Sequence, residues 1–286
     1  MRPPFHFMKT TGLFPSWIAK SLVADAVFGR AYARVPDHGR ALLKTALARS
    51  WETSAPSETV ASRTEKALRS GLRAVTSSAP RPGLVLLLDP AETSPARLLA
   101  ALAPALAAGI PEVLAVRLGG RGNPPASLLV ALELAGVERL ALLPKEQGPK
   151  LFEHLAGHAP ACLVLALGSV PGPAAWRGRL ERPLGLWLDK SGDLDLEAVR
   201  FAQPDAVLEA WGPGTRSLTG PVVRRSGTFE TFLRQGYAAL YAPRTRHEAC
   251  LGRAPLVLGP GCESCWLWPD LAADLFLERS TGWSLG

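Results

Sequence analysis

The residues with the plainest chemistry lie between positions 247 and 265. His247, Cys250, Cys262 and Cys265 run as His-x2-Cys-x11-Cys-x2-Cys and include three of the chain's four cysteines. Two-residue spacings let both members of each pair reach one ion, so the set predicts a tetrahedral zinc knuckle, with an iron–sulfur cluster as the other metal reading. Gly259-Pro260-Gly261 before Cys262 supplies the tight turn such a knuckle needs. The plainer alternative is a buried Cys250 beside an incidental Cys262/Cys265 pair.

A second group reads as an anion site. Gly119-Gly120-Arg121-Gly122-Asn123 follows an apolar run and precedes a helical pattern. Backbone amides and a helix N-terminus there could hold a phosphate, with Arg121 as counter-charge. Gly168-Ser169 ends a later apolar run in the same way. If the runs are parallel strands, both turns lie on the carboxyl edge, where open sheets bind ligands. The expected ligand is a small molecule or nucleotide bound by Gly119, Gly120, Arg121, Asn123, Gly168 and Ser169. A flexible loop with no ligand is the alternative. His38 beside Asp37, and the pair His154/His158, are further polar candidates; Asp37 as a helix cap and a histidine at a helix end explain them as well.

These residues need a scaffold, and the apolar pattern describes one. Leu84–Leu88, Val113–Leu118, Arg139–Leu143, Cys162–Leu167, Leu184–Leu188 and Ala206–Ala210 are short, continuous apolar runs, as strands buried on both faces read. Helical patterns at Ser94–Ala108, Pro125–Leu134, Lys145–Gly157 and Asp195–Ala202 lie between them. Alternation at this spacing implies right-handed crossovers and a mostly parallel sheet. Upstream, helices are expected from Ser16, over Asp37–Trp51 and over Ser57–Thr76, after an irregular lead-in at residues 1–15. Downstream, Val222-Val223, Ala238–Tyr241 and Pro255–Leu258 read as strands. Thr228–Gln235 and Asp270–Glu278 read as helices, the first capped by Thr228. The expected organisation is an N-terminal helical segment (1–82), an α/β domain (83–211) and a small C-terminal α/β or metal-knuckle region (212–286).

Composition narrows the class. An apolar fraction of 47% and a charged fraction of 20% allow a sizeable core. The net charge of +7 is carried by dispersed arginines, densest at Arg177–Arg182 and Arg224–Arg225, which argues against a nucleic-acid surface. The longest apolar stretch, Leu98–Ile110, is too short to cross a bilayer and holds Pro104. No secretory signal pattern stands at Met1–Lys9, so the expected compartment is the cytoplasm.

Three segments carry a family resemblance. Ala107-Ala108-Gly109-Ile110-Pro111-Glu112-Val113-Leu114-Ala115-Val116, then Asn123-Pro124-Pro125-Ala126-Ser127-Leu128-Leu129, then Leu134-Ala135-Gly136-Val137-Glu138-Arg139 resemble histidinol dehydrogenase, within the aldehyde-dehydrogenase-like superfamily. Asp193–Val199 is similar to a helix start of that superfamily. The resemblance spans about residues 83–205 and implies a Rossmann-like sheet. The departures imply a shortened member lacking most catalytic motifs. Leu143–Gly148 stands where the family has Gly-Gly-Ala-Gln. Gly168-Ser169-Val170-Pro171 does not match its Gly-Pro-Gly-Asn turn, and Pro204-Asp205 replace a metal-ligand pair after Gln203. Gly259-Pro260-Gly261-Cys262 is similar to the turn bearing the superfamily's catalytic cysteine, which makes Cys262 the candidate nucleophile toward an aldehyde. What the resemblance implies is an NAD-linked oxidoreductase. The alternative is a catalytically degenerate relative serving as a binding or interaction module with a structural zinc. A homodimer is the expected assembly.

Overall fold

The computed structural model describes residues 12–54, 61–190 and 192–285. After a 3-10 turn at Ser16–Ser21 come helices α1 (Asp25–Arg34) and α2 (Asp37–Ser54). Strands β1 (Ser62–Ala67) and β2 (Leu72–Pro80) form a hairpin. The first α/β run is β3 (Gly83–Leu88), α3 (Pro95–Ala107), β4 (Glu112–Leu118), α4 (Ala126–Leu134), β5 (Leu140–Leu143), α5 (Gly148–His158), β6 (Leu163–Leu167) and β7 (Trp176–Gly178). The second is β8 (Leu184–Trp187), α6 (Leu196–Ala202), β9 (Leu208–Trp211), β10 (Val223–Arg224), α7 (Phe229–Leu233), β11 (Ala239–Tyr241), α8 (His247–Cys250) and β12 (Val257–Leu258). A 3-10 turn at Ala273–Phe276 leads into β13 (Leu277–Leu285).

The parallel α/β architecture is as the apolar runs predict, but the strands divide between two sheets. The first has the order β5-β4-β3-β6-β7, the second β10-β9-β8-β11-β12, and every pairing in both is parallel. The division falls in the Pro/Gly/Arg-rich connection before Leu184. There β8 leaves the first sheet and pairs with β9 and β11.

The pleat of β3 shows why both faces are covered. Leu84, Leu86 and Leu88 pack toward α3 and α4, while Val85 and Leu87 pack with Leu151 and Leu155 of α5. All six β3 residues are buried, and each leucine taken out of water contributes about 1.5–3 kcal/mol. The cluster on the α3/α4 face continues through Val199 of α6 to Leu184, Leu186 and Ala210 of the second sheet. Helices thus sit between the two sheets as a common layer. The other face of the second sheet packs Trp187, Trp211 and Leu240 against Phe232 and Cys250.

Local signals set the helix starts. Ser94 Oγ accepts the Arg97 amide at 3.1 Å ahead of Pro95, and Asp195 Oδ1 accepts the Ala198 amide at 3.0 Å. Thr228 caps α7 as expected, accepting from the Thr231 amide. Gly109 ends α3 in the left-handed region at φ +79°, the conformation that favours glycine at this position.

Two expected helices do not form. Residues 61–76 of the Ser57–Thr76 helix form β1, a turn at Gly71 (φ +82°) and most of β2; residues 57–60 lie outside the described residues, as do 1–11 of the lead-in. The expected helix Asp270–Glu278 is a 3-10 turn running into β13, which pairs antiparallel with β2 from Leu277↔Pro80 to Leu285↔Leu72. The order β1-β2-β13 makes a third, antiparallel sheet. It stands out into solvent: all of β1, and β13 from Glu278 to Leu285, are exposed.

Candidate functional site

Parallel pairing brings the loops after β3, β4, β5 and β6 to one carboxyl edge. Asp89 stands at its centre, directly after β3. Its carboxylate accepts the Ala91 amide at 2.9 Å and the Ser169 amide at 2.8 Å. Gly168 is at φ +82°, and a Cβ there would lie 2.5 Å from the Asp89 Cβ. The Gly168-Ser169 turn is therefore drawn tightly onto Asp89, whose carboxylate takes the amide that an anionic ligand would use.

The Gly119–Asn123 loop is arranged differently. Gly119, at φ +87°, donates its amide to the Leu143 carbonyl at 2.7 Å and lies under the aliphatic chain of Lys145, 2.5 Å from where a Cβ would be. Gly120 similarly lies against the Arg117 guanidinium. Arg117 donates to the Pro90 carbonyl at 3.0 Å and the Gly122 carbonyl at 3.2 Å, so it staples the β3 and β4 loops together. Burial lowers the Arg117 pKa, and the nearby Asp89 charge acts the other way. Arg121 and Asn123 are exposed, as is Lys145. The edge thus has a glycine turn with Arg121 and Lys145 exposed beside it. Asp89, Arg117 and Lys145 are functional candidates that the sequence reading missed, since nothing in the sequence pairs residues so far apart.

The cysteine set is not brought together as a knuckle. Cys250 is fully buried among Trp187, Trp211, Phe232 and Tyr237, whereas Cys265 belongs to the main core on the opposite face of the second sheet. Burial pushes both thiols up to about 11. His247 packs its ring against Gly259. Among the described residues, no group of three or more His, Cys, Asp or Glu is placed to hold a metal. The expected zinc site at His247, Cys250, Cys262 and Cys265 is thereby corrected: their environments are those of packing side chains.

Cys262 is the exception. It is half-buried, its amide donates to the Gly259 carbonyl at 3.0 Å, and Arg49 of α2 donates to both its Sγ and the Gly261 carbonyl. The partners of Cys262 are therefore Arg49 and its own turn, while those of the glycine loops are Lys145, Arg117 and Asp89. The remaining thiol, Cys162, is pushed up to about 12 by burial.

The two α/β runs are tied by one buried charge cluster. Arg97, 1% exposed, donates to Glu92 Oε1 at 2.7 and 3.0 Å, to Gln203 Oε1 at 2.9 Å and to Asp205. Glu92 precedes α3, while Gln203 and Asp205 follow α6, so the cluster fixes α3 against α6. A cavity of about 300 Å³ lies nearby, where β7 ends and β8, β11 and β12 begin, lined by Arg177, Arg179, Arg182, Trp266, Trp268 and Asp270 among others. Those arginines belong to the densest basic stretch in the sequence.

Two parallel five-stranded sheets sharing a helical layer, with an antiparallel three-stranded sheet outside them, define a Rossmann-like α/β protein. The fold is similar to that of a histidinol dehydrogenase. A histidinol dehydrogenase structure from Elizabethkingia anophelis matches 92% of this chain and 76% of its own, at 11% identity and a TM-score of 0.53. An aldehyde dehydrogenase from Brucella melitensis biovar abortus 2308 is similar over 86% of this chain and 77% of its own (12% identity, TM-score 0.47). An NAD-dependent benzaldehyde dehydrogenase from Corynebacterium glutamicum is similar over 96% and 86% (11% identity, TM-score 0.46). No protein-family profile matches the sequence, and none of the curated proteins is similar to it in sequence.

Proposed function

We propose that this chain is an NAD-linked oxidoreductase, a relative of the histidinol and aldehyde dehydrogenases, with its nucleotide at the carboxyl edge of the first parallel sheet. The observation that carries the reading is the glycine loop after β4, flanked by Arg121 and Lys145, on the edge where open α/β sheets bind ligands. The loop suits a phosphate-bearing nucleotide through its two exposed cations: Gly119 leaves room for the Lys145 chain to cross the turn, and Arg121 and Lys145 supply counter-charge. Asn123 extends the polar surface toward the start of α4. Gly168 and Ser169 would border the ligand but contribute no free Ser169 amide, because Asp89 holds it. A bound nicotinamide would supply a hydride acceptor. Among the four thiols, Cys262 is the candidate nucleophile toward an aldehyde, being the one with a guanidinium hydrogen-bonded to its sulfur and no full burial.

A second reading has specific support. Asp89 occupies the Ser169 amide with a carboxylate of the chain itself, which suits a catalytically degenerate relative that binds a partner or small molecule without turnover. NAD titration followed by thermal shift separates the two. At a hundred times its dissociation constant a ligand should add ~2.7 kcal/mol to stability, and Lys145→Ala should weaken the response. No shift at millimolar NAD would overturn the dehydrogenase reading and leave the second.

The same reading takes the protein as a cytoplasmic homodimer. Four free cysteines suit a reducing compartment. Trp283 and Leu285, 74% and 80% exposed on the projecting sheet, supply apolar surface for a second copy. Among the described residues, no helix is long and apolar enough to cross a membrane.

A further inference from the structure

Cys262 and Cys265 stand three residues apart in a closed turn. The Cys265 amide donates to the Cys262 carbonyl at 2.9 Å, and the Cys262 amide donates to the Gly259 carbonyl. The Arg49 guanidinium hydrogen-bonds to the Cys262 sulfur, and its charge acts on the Cys265 thiol against the effect of burial. The two thiols are unequal: Cys262 is half-buried beside exposed Gly261, while Cys265 is only 6% exposed. The intervening residues hold the turn in place. Glu263 Oε1 accepts the Asp195 amide at 3.0 Å at the start of α6, and Ser264 Oγ donates to the Leu42 carbonyl of α2 at 3.3 Å.

We propose that Cys262 and Cys265 form a reversible dithiol–disulfide site that exchanges with low-molecular-weight disulfides, with Cys262 as the attacking thiol and Arg49 as its positioning residue. An outer, cation-contacted thiol and an inner, buried one within a Cys-x-x-Cys turn are what thiol–disulfide exchange needs. The Cys262 thiolate, its proton released to solvent, attacks one sulfur of the small disulfide. The S–S bond breaks, a mixed disulfide forms on Cys262, and one small thiolate leaves. Cys265 then loses its proton and attacks the Cys262 sulfur, expelling the second small thiolate and closing the Cys262–Cys265 bond. The protein dithiol is oxidised by two electrons and the small disulfide is reduced to two thiols, which take up the two protons. The site shares Cys262 with the proposed aldehyde chemistry, but the exchange itself requires no bound nucleotide.

The test uses the full-length protein equilibrated in mixtures of reduced and oxidised glutathione, quenched with an alkylating agent and mapped by mass spectrometry. The expected result is a reversible loss of two alkylation sites, both in the peptide spanning residues 262–265, with a change in the fluorescence of the adjoining Trp266 and Trp268. Cys265→Ser should accumulate glutathione on Cys262. Arg49→Met should slow formation of the mixed disulfide on Cys262, whereas Arg49→Lys should restore part of the rate; a purely structural Arg49 would show no such rescue by a cation. The proposal is overturned if both thiols stay alkylatable in excess oxidised glutathione, if Cys265→Ser traps no adduct, or if purified protein carries a stoichiometric metal that shields the pair.

Discussion

Arg97→Met removes the guanidinium that joins α3 to α6 and keeps much of its apolar stem. The Glu92 side chain is only 6% exposed. In the variant it keeps one hydrogen bond, from the Ser94 amide at 3.2 Å, and loses its charge partner. Removing one member of a buried ion pair costs about 3–5 kcal/mol. Asp205 adds little to this, since its side chain is 25% exposed and can be hydrated. At about 2–4 °C per kcal/mol for a chain near this size, the melting temperature should fall by about 6–20 °C. The loss should also depend on pH. Burial raises the Glu92 pKa, and the charge and hydrogen bonds of Arg97 pull it back. A carboxyl whose folded pKa lies above its unfolded one favours the folded state below the unfolded value, and that advantage fades as pH rises through the folded value. Without Arg97 the upward shift grows, so the variant should recover part of its deficit between pH 7 and pH 5. Adding Glu92→Gln should flatten that dependence. Thermal denaturation of the three proteins across this range is the assay. A deficit under about 1 kcal/mol at pH 7, or one equally large at pH 5, would refute the argument that Arg97 neutralises a buried carboxylate.

Further outcomes can be checked in parallel. A Cβ on Gly185 would lie 2.4 Å from the Tyr237 ring, so Gly185→Ala should cost about 1–3 kcal/mol by overpacking, read as a lower urea midpoint. Gly168→Ala combines a positive φ with a Cβ 2.5 Å from Asp89; it should lower the melting temperature and, if the carboxyl edge binds nucleotide, weaken NAD-dependent stabilisation. The hydrogen bond from Arg225 holds the Glu209 carboxyl below its ordinary range, with Tyr237 assisting; that contribution is present above the unfolded pKa and lost as pH falls through the folded one, so the gap in melting temperature between wild type and Arg225→Ala should close on acidification. Trp283→Ser should shift any dimer toward monomer in sedimentation velocity without lowering the melting temperature of the monomer.

The parallel sheets were legible because their strands are buried on both faces. Leu84–Leu88 and Val113–Leu118 admit little else, and the caps Ser94, Asp195 and Thr228 mark their helices unaided. Which sheet each strand joins was not legible, since β8 is as apolar as β6 and only remote pairing separates them. The β1–β2 hairpin misled because Ala67, Leu68, Leu72 and Val75 also fall on one helical face. What selects the strand is pairing with β13, some two hundred residues away. The same distance hid much of the candidate site. Gly119–Asn123 could be found from local composition, but Asp89 on Ser169, Lys145 across Gly119 and Arg49 on Cys262 are products of folding. The cysteine spacing suggested a metal because spacing carries no information about burial, and burial on opposite faces of a sheet separates Cys250 from Cys265.

The projecting sheet sets an order of events during synthesis. Its middle strand, β2, leaves the ribosome long before β13, and at about 5–20 residues per second the wait is roughly 10–40 s. Throughout that interval one edge of the β1–β2 hairpin has unpaired amides and carbonyls, open to any extended chain in the crowded cell. The sequence guards the hairpin with charge, placing Arg63, Glu65 and Lys66 on β1 and Arg73 on β2. Shortening the chain before Leu277 would make that temporary exposure permanent, so truncated forms should aggregate through this hairpin even where both parallel sheets have folded.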